Sequence, residues 1–236
     1  VSALLCLMQL MRTKESYGLQ IRKIGFDKNI LKQIIRIGLP SGVQNSIIAF
    51  ANVIVQSDIN AFGEMAMAGY GAYTKVEGFG FLPINSFTMA LTTFVGQNLG
   101  AKQEERTKKG AKFGILITVL LAEVIGVVVF ILAPQLIAAF DPSPEIIRFG
   151  VEKARTAALF YCLLAFSHSI AAVLRGAGKT MVSMIIMMMC WSVIRVTFLS
   201  IMIPLTHSIQ AVYWVYPLTW SLSSLAFFWY YKKVKW

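Results

Sequence analysis

Glu77 is a carboxylate set in an apolar run, YTKVEGFGFLPINSFTMALTTFVGQNLGAK (residues 73–102), with Lys75 two positions before it. The run is long enough to cross a bilayer, where a charge near the centre costs about 2.5–3.5 kcal/mol on insertion scales. Pro83 follows, and Asn85, Thr88 and Thr92 share a broad face with Glu77 on a helix. A span that keeps charges beside a helix breaker reads as one that handles something polar inside the membrane. Two roles for Glu77 stay open. Its charge responds to its surroundings, so it could bind a cationic molecule and exchange it for a proton or sodium. Alternatively it is permanently paired with Lys75 or Arg195 of a packed neighbour. Lys75 falls almost opposite Glu77, so the pair would not form within one helix.

Ser41, Asn45, Asn52, Gln56 and Asn60 form a second polar stripe, clustered within about 100° of one another around a helix. On a membrane helix such a stripe faces protein or water rather than lipid. It either lines a cavity or makes interhelical hydrogen bonds worth about 0.6 kcal/mol each on average. Asp58 points away from it. Arg195, one turn after Trp191 in another apolar run, cannot easily lose its proton and needs a carboxylate or carbonyls. Glu123 is one such partner. His168, among small residues in SHSIAA, is either a packed hydrogen-bonder or a proton carrier. Cys6, Cys162 and Cys190 lie in apolar runs without metal-ligand spacing and read as small hydrophobic filler. There is no HExxH, no Ser/His or Asp/Asp pairing and no metal cluster in the pattern. The expectation is a protein that is not an enzyme, with no catalytic residue, no metal site and no cofactor beyond a coupling ion.

These residues are carried on an all-α integral membrane scaffold. The chain is 57% hydrophobic and 14% charged, against about 45–50% and 25% in a soluble domain. Of its 22 Lys and Arg residues, 17 sit in alternate connections: 12–36, 102–112, Arg175 with Lys179, and the last residues. That asymmetry is the positive-inside pattern, and it argues against nucleic acid as the partner. It predicts that the 12–36 and 102–112 connections and the C-terminus are cytoplasmic, in a multi-pass inner (plasma) membrane protein. The expected organisation is the end of a preceding transmembrane helix (1–11), a basic linker (12–36), a six-helix lobe (37–231) and a basic tail (232–236). The linker reads either as an amphipathic helix on the membrane surface or as a solvated connection. Spans are expected at 39–62, 73–102, 113–133, from near 146 to LRGAGKT, at 180–204 and at 212–231. Pro40 is expected in the first turn of its helix, Pro134 as the end of the third span, and residues 63–69 as an outer loop. A chain opening on Val1 in mid-helix reads as a piece of something longer.

At VGQNLGAK (95–102), LRGAGKT (174–180) and IGLPSGVQN (37–45), the sequence resembles the multidrug and toxic compound extrusion (MATE) transporters. In that family these phrases close the eighth helix, close the tenth and open the seventh. The resemblance covers residues 37–235 and implies the C-terminal lobe of a twelve-helix, two-lobe transporter. It implies a secondary active exporter that moves cationic, amphipathic organic compounds against a sodium or proton gradient by alternating access, with the N-terminal lobe and the bilayer as partners. Asn45, Asn52, Gln56, Glu77, Asn85, Thr88 and Arg195 are the expected cavity lining, with Lys75, Glu123 and His168 as charge partners. Many members carry an acid two turns after the proline of the seventh helix, where this chain has Asn45, Ser46, Ile47 and Ile48. Some also carry one early in the tenth, near Leu164 here. Coupling would then rest on Glu77 or on the other lobe. Two rival readings are a lipid-linked oligosaccharide flippase of the same superfamily, to which Lys75 and Arg195 would lend a cationic cavity, and a receptor or structural module that transports nothing.

Overall fold

The structure, a computed structural model, describes residues 2–13, 19 and 25–233. The expectations for Val1, for linker residues 14–18 and 20–24, and for tail residues 234–236 lie outside the described residues. Two compact units divide the chain, Val1–Gly38 and Leu39–Trp236. The first holds α1 (Ser2–Arg12) and the start of α2 (Lys28–Asn60). Asp27 explains where α2 begins. Its Oδ1 accepts from the backbone N–H of Asn29 (2.8 Å) and Ile30 (3.1 Å), satisfying donors that a first turn leaves orphaned. The helix therefore starts well before the expected first span, and Pro40 is interior rather than in the first turn. Such a proline releases the carbonyl of Arg36, and the boundary between the two units falls beside it.

The second unit is helical, with no strand among the described residues. After α2 come α3 (Glu64–Gly100), α4 (Glu104–Ala138), α5 (Pro144–Ala158), α6 (Tyr161–Gly176), α7 (Thr180–Met188), a π-helical turn (Met189–Val193), α8 (Ile194–Thr206) and α9 (Gln210–Lys233). Among the described residues, α2, α3, α4 and the 180–206 run are long and apolar enough to cross a membrane. The α5–α6 pair, bent by 56°, is a fifth span if counted as one. At 24 residues α9 has the length, about 36 Å. Its Tyr, Trp and Ser residues keep its hydropathy lower.

Two boundaries differ from expectation. The connection expected at 63–69 shrinks to residues 61–63, because EMAMAG already forms helix and Gly63, at φ 96°, makes the break. α4 runs through Pro134 to Ala138 instead of ending there. A proline is tolerated inside a membrane helix when neighbours or local adjustment resatisfy the freed carbonyl.

α3 is the hub, packed on α4, α5 and α6, while α6 also meets α9 and α9 meets α8. Small residues let these helices close. A Cβ on Gly126 of α4 would lie 2.2 Å from the Ala158 carbonyl oxygen, and one on Gly176 of α6 would lie 2.5 Å from that of Thr92 on α3. The LRG glycine thus seats the end of α6 against the end of α3, bringing two of the sequence phrases together. Both phrases close in the same way. Lys179 N–H donates to Leu174 O (2.8 Å) and Gly178 N–H to Arg175 O (3.0 Å), a Schellman stop with Gly178 at φ 74°. Gln103 N–H to Asn98 O (2.8 Å) and Lys102 N–H to Leu99 O (2.9 Å) repeat it, with Lys102 rather than glycine in the left-handed position.

Candidate binding cavity

Glu77 points into a cavity of ≈ 370 Å³ walled by α2, α3, the π turn, α8 and α9. α2 contributes Asn52 and Gln56, α3 contributes Glu77 and Tyr70, and Trp191, Arg195, Tyr216 and Trp220 form the facing wall. Four of the sequence-derived residues, Asn52, Gln56, Glu77 and Arg195, therefore meet. The other three, Asn45, Asn85 and Thr88, line a second cavity of ≈ 450 Å³ together with Ser41, His168 and Arg175. The polar stripe of α2 runs along both, and its far end is tied by Gln56 Nε2 donating to Asn60 Oδ1 (2.9 Å).

The hydrogen bonds fix each group. Glu77 Oε1 accepts from Tyr73 O–H (2.7 Å), and the Tyr73 and Tyr161 hydroxyls are 3.2 Å apart. Tyr70 and Tyr216 share a hydrogen bond across the cavity wall. Arg195, 1% exposed, donates through Nη1 to Asn52 Oδ1 (3.1 Å) and through Nη2 to Thr219 Oγ1 (3.5 Å). Its Cζ stands 4.5 Å from the Tyr216 ring centroid and 5.4 Å from that of Trp191. The π turn re-aims the helix between Cys190 and Val193, setting Trp191 in the wall. Trp191 Nε1 donates to Ser223 Oγ (3.2 Å), and Ser223 bonds Ser167 (2.9 Å), so α6, the π turn and α9 hold that ring together.

The charge partners come out differently from the sequence reading. Arg195 is bound by an amide and a hydroxyl, not by Glu123, whose Oε2 instead accepts from Cys162 N–H (3.3 Å) at the α5–α6 bend. That bend exposes the N–H, and the carboxylate is drawn to it. Lys75 is exposed, with Nζ 5.3 Å from the Phe140 ring, on the side of α3 away from Glu77. His168 lies edge-on to Trp191 (5.1 Å) and Phe81 (6.2 Å), with its Nε2 buried and without a hydrogen-bond partner.

The cation that sequence reasoning missed is Lys153. It is wholly buried on α5, its Nζ 3.4 Å from the Tyr216 ring centroid, 5.6 Å from Tyr73 and 5.8 Å from Tyr213. Tyr73 ties it to Glu77, since the ring beside Nζ carries the hydroxyl that donates to the carboxylate, and Arg195 lines the same cavity as Glu77. The signal was present in IIRFGVEKARTAA. Ile146, Gly150, Lys153 and Ala157 recur at helical spacing, which puts Lys153 on the buried stripe of α5. What the arrangement can do is hold one carboxylate near two cations and several aromatic faces, with room beside it for an organic molecule.

Comparison with known proteins identifies the family and the fold. The MatE family profile matches residues 40–201. The chain is 29% identical, over 66% of its length and 33% of the relative's, to the probable multidrug resistance protein NorM of Thermotoga maritima. It is 24% identical to the probable multidrug resistance protein YoeA of Bacillus subtilis, over 99% of this chain and 52% of that one. The chain thus spans about half or less of the length of these curated relatives. In fold it superposes on a MOP superfamily transporter from Pyrococcus furiosus with a TM-score of 0.88, at 22% identity, over 98% of this chain and 53% of that chain. With the profile covering most of its helices and the same bundle in the solved structure, the chain belongs to the MatE family of membrane transporters.

Proposed function

We propose that the chain is the C-terminal lobe of a secondary active exporter that carries small amphipathic cations outward in exchange for sodium or protons. The observation that carries this reading is Glu77 facing a cavity rimmed by Tyr70, Trp191, Tyr216 and Trp220. A carboxylate amid aromatic faces suits an organic cation, because ring quadrupoles attract positive charge and the rings bury apolar surface. Transporters of this kind bind substrate near the membrane midplane between repeats and expose the site alternately. Relatives named as multidrug resistance proteins support the same class. A second lobe would supply the rest of the cavity wall.

The test is ethidium efflux from liposomes holding the complete two-lobe transporter under an imposed sodium or proton gradient. Gradient-dependent efflux is expected, and none from this chain alone, since half of the cavity wall is then missing. Gradient-driven efflux by the lone chain, shown to be monomeric, would defeat the half-transporter reading, and a complete transporter that moves nothing under any gradient would favour a receptor or structural module.

A second reading has its own observation. Two buried cations, Lys153 and Arg195, face a single carboxylate, and an anionic cargo such as a pyrophosphate-linked sugar lipid would meet them. Efflux blocked by such a lipid but indifferent to cationic dyes would favour it.

The charge pattern further supports cytoplasmic placement of residues 12–36 and 102–112, with the α4–α5 turn outside. Single cysteines placed at Lys108 and Ser143 in a cysteine-free background are expected to react with a membrane-impermeant maleimide from opposite sides. Reaction of both from one side would overturn that topology.

A further inference from the structure

The cage around Lys153 is what an aromatic site for an ammonium ligand looks like, and it is filled by the protein's own amine. The Nζ is 0% exposed and has no hydrogen-bond partner, with three tyrosine rings as its surroundings. An unpaired buried charge costs several kcal/mol, so this ammonium is held by the rings and by the field of a nearby anion. That anion is Glu77. Tyr73 links the two, because its ring flanks Nζ while its hydroxyl donates to the carboxylate.

Charged and titratable groups face Lys153 from several helices. α3 presents Glu77 and Tyr73, α8 presents Arg195, and α9 presents Tyr213 and Tyr216. From α6 the Tyr161 hydroxyl joins that of Tyr73. α4, also packed on α5, has Glu123 turned to the Cys162 N–H. Of the two cations near Glu77, only one can change its charge. A guanidinium keeps its proton, whereas a lysine amine can exist with or without one.

We infer that Lys153 is the resident counter-cation of Glu77 and that an external cation docking at Glu77 displaces the proton of Lys153. The inference rests on the exporter reading, whose coupling step it specifies. When the incoming cation takes over the carboxylate, an N–H bond of the ammonium breaks. Its electron pair stays on Nζ, the proton leaves to solvent, and the total charge is unchanged. Reprotonation of Lys153 runs the step backwards and expels the cation. One proton is thereby exchanged for each unit of positive charge, without protonation of Glu77 itself.

The experiment is equilibrium binding of ethidium to the complete purified transporter as a function of pH, with proton release followed in weak buffer. In the wild type, affinity is expected to rise about tenfold for each pH unit while Lys153 is protonated in the free state, the slope set by one proton released per dye bound. Lys153→Met keeps the length and apolar stem, so the cage stays filled; it is expected to bind tightly at all pH values with no proton release. Lys153→Arg is expected to bind weakly at all pH values, again without a slope. Persistence of the slope in Lys153→Met would overturn the inference and assign the proton to Glu77. Should neither variant accumulate folded, the wild-type measurement decides: binding without proton release overturns the inference by itself. Absence of dye binding to a folded wild type at every pH would defeat the cationic-cargo reading and this inference with it, whereas binding with a flat profile would defeat this inference alone.

Discussion

Glu77→Gln is expected to reach the membrane at wild-type levels and to lose gradient-coupled efflux by about thirtyfold or more. The size follows from removing one member of a buried, hydrogen-bonded charge set, which costs about 2–5 kcal/mol, with 1.4 kcal/mol for each factor of ten. Glutamine keeps the shape and can still accept from Tyr73, so the α3–α6 tyrosine bridge persists. It leaves the cavity wall with Arg195 and no carboxylate, and Lys153 behind it without its anion. Accumulation survives because an amine can give up its proton once the carboxylate is gone. Immunoblotting of membranes and dye fluorescence in inside-out vesicles measure the two arms. Poor accumulation with residual efflux would mean that Glu77 is a structural ion-pair partner. Normal accumulation with unimpaired efflux would remove it from both roles.

The second large effect is on assembly. Gly126→Ala is expected to destabilise the bundle by about 1–3 kcal/mol, as overpacking against an unyielding wall does, and to lower its melting temperature and its accumulation in the membrane. The added methyl would meet the Ala158 carbonyl oxygen at 2.2 Å and its carbon at 3.2 Å, so backbone, not a flexible side chain, must move. That contact fastens α4 to the end of α5, where the span bends, and Glu123 holds the Cys162 N–H on the same helix pair. Gly71→Ala is the control. Nothing lies within 4 Å of its would-be Cβ, and alanine favours the helix by about 0.5–1 kcal/mol. Thermal unfolding in detergent separates them, and equal melting temperatures would contradict the packing account.

Much of this was legible in the chain because a membrane makes polarity conspicuous. Glu77, Asn52, Gln56 and Arg195 stood out as polar groups in apolar runs, and these four come to one cavity. Two of the three phrases that carried the family resemblance are also structural stops and seats, at Lys102 in one and at Gly176 and Gly178 in the other. Lys153 escaped because, beside Arg148, Glu152 and Arg155, it reads as one more charge at the start of a span. Only the bent α5–α6 pair, which folds an amphipathic helix into the bundle, buries it. The pairing of Arg195 with Glu123 failed for a related reason. An arginine needs acceptors rather than a carboxylate as such, and Asn52 and Thr219 supply them. The prolines at positions 40 and 134 misplaced two helix ends, since membrane helices carry them in mid-span. The tyrosine network could not be read at all, because hydroxyl pairs such as Tyr70 with Tyr216 join helices far apart in sequence.

The central claim is that an organic cation sits beside Glu77, and the direct measurement is photolabelling. An azido derivative of ethidium, crosslinked to the complete transporter and mapped by mass spectrometry, is expected to mark Trp191, Tyr216 and Trp220, with protection by excess unmodified dye. A larger groove of ≈ 550 Å³, lined by Phe79, Pro83, Val124 and Val128, offers a purely apolar alternative on the outside of α3 and α4. Protectable labelling confined to that groove, with none on the three cavity aromatics, would contradict the account.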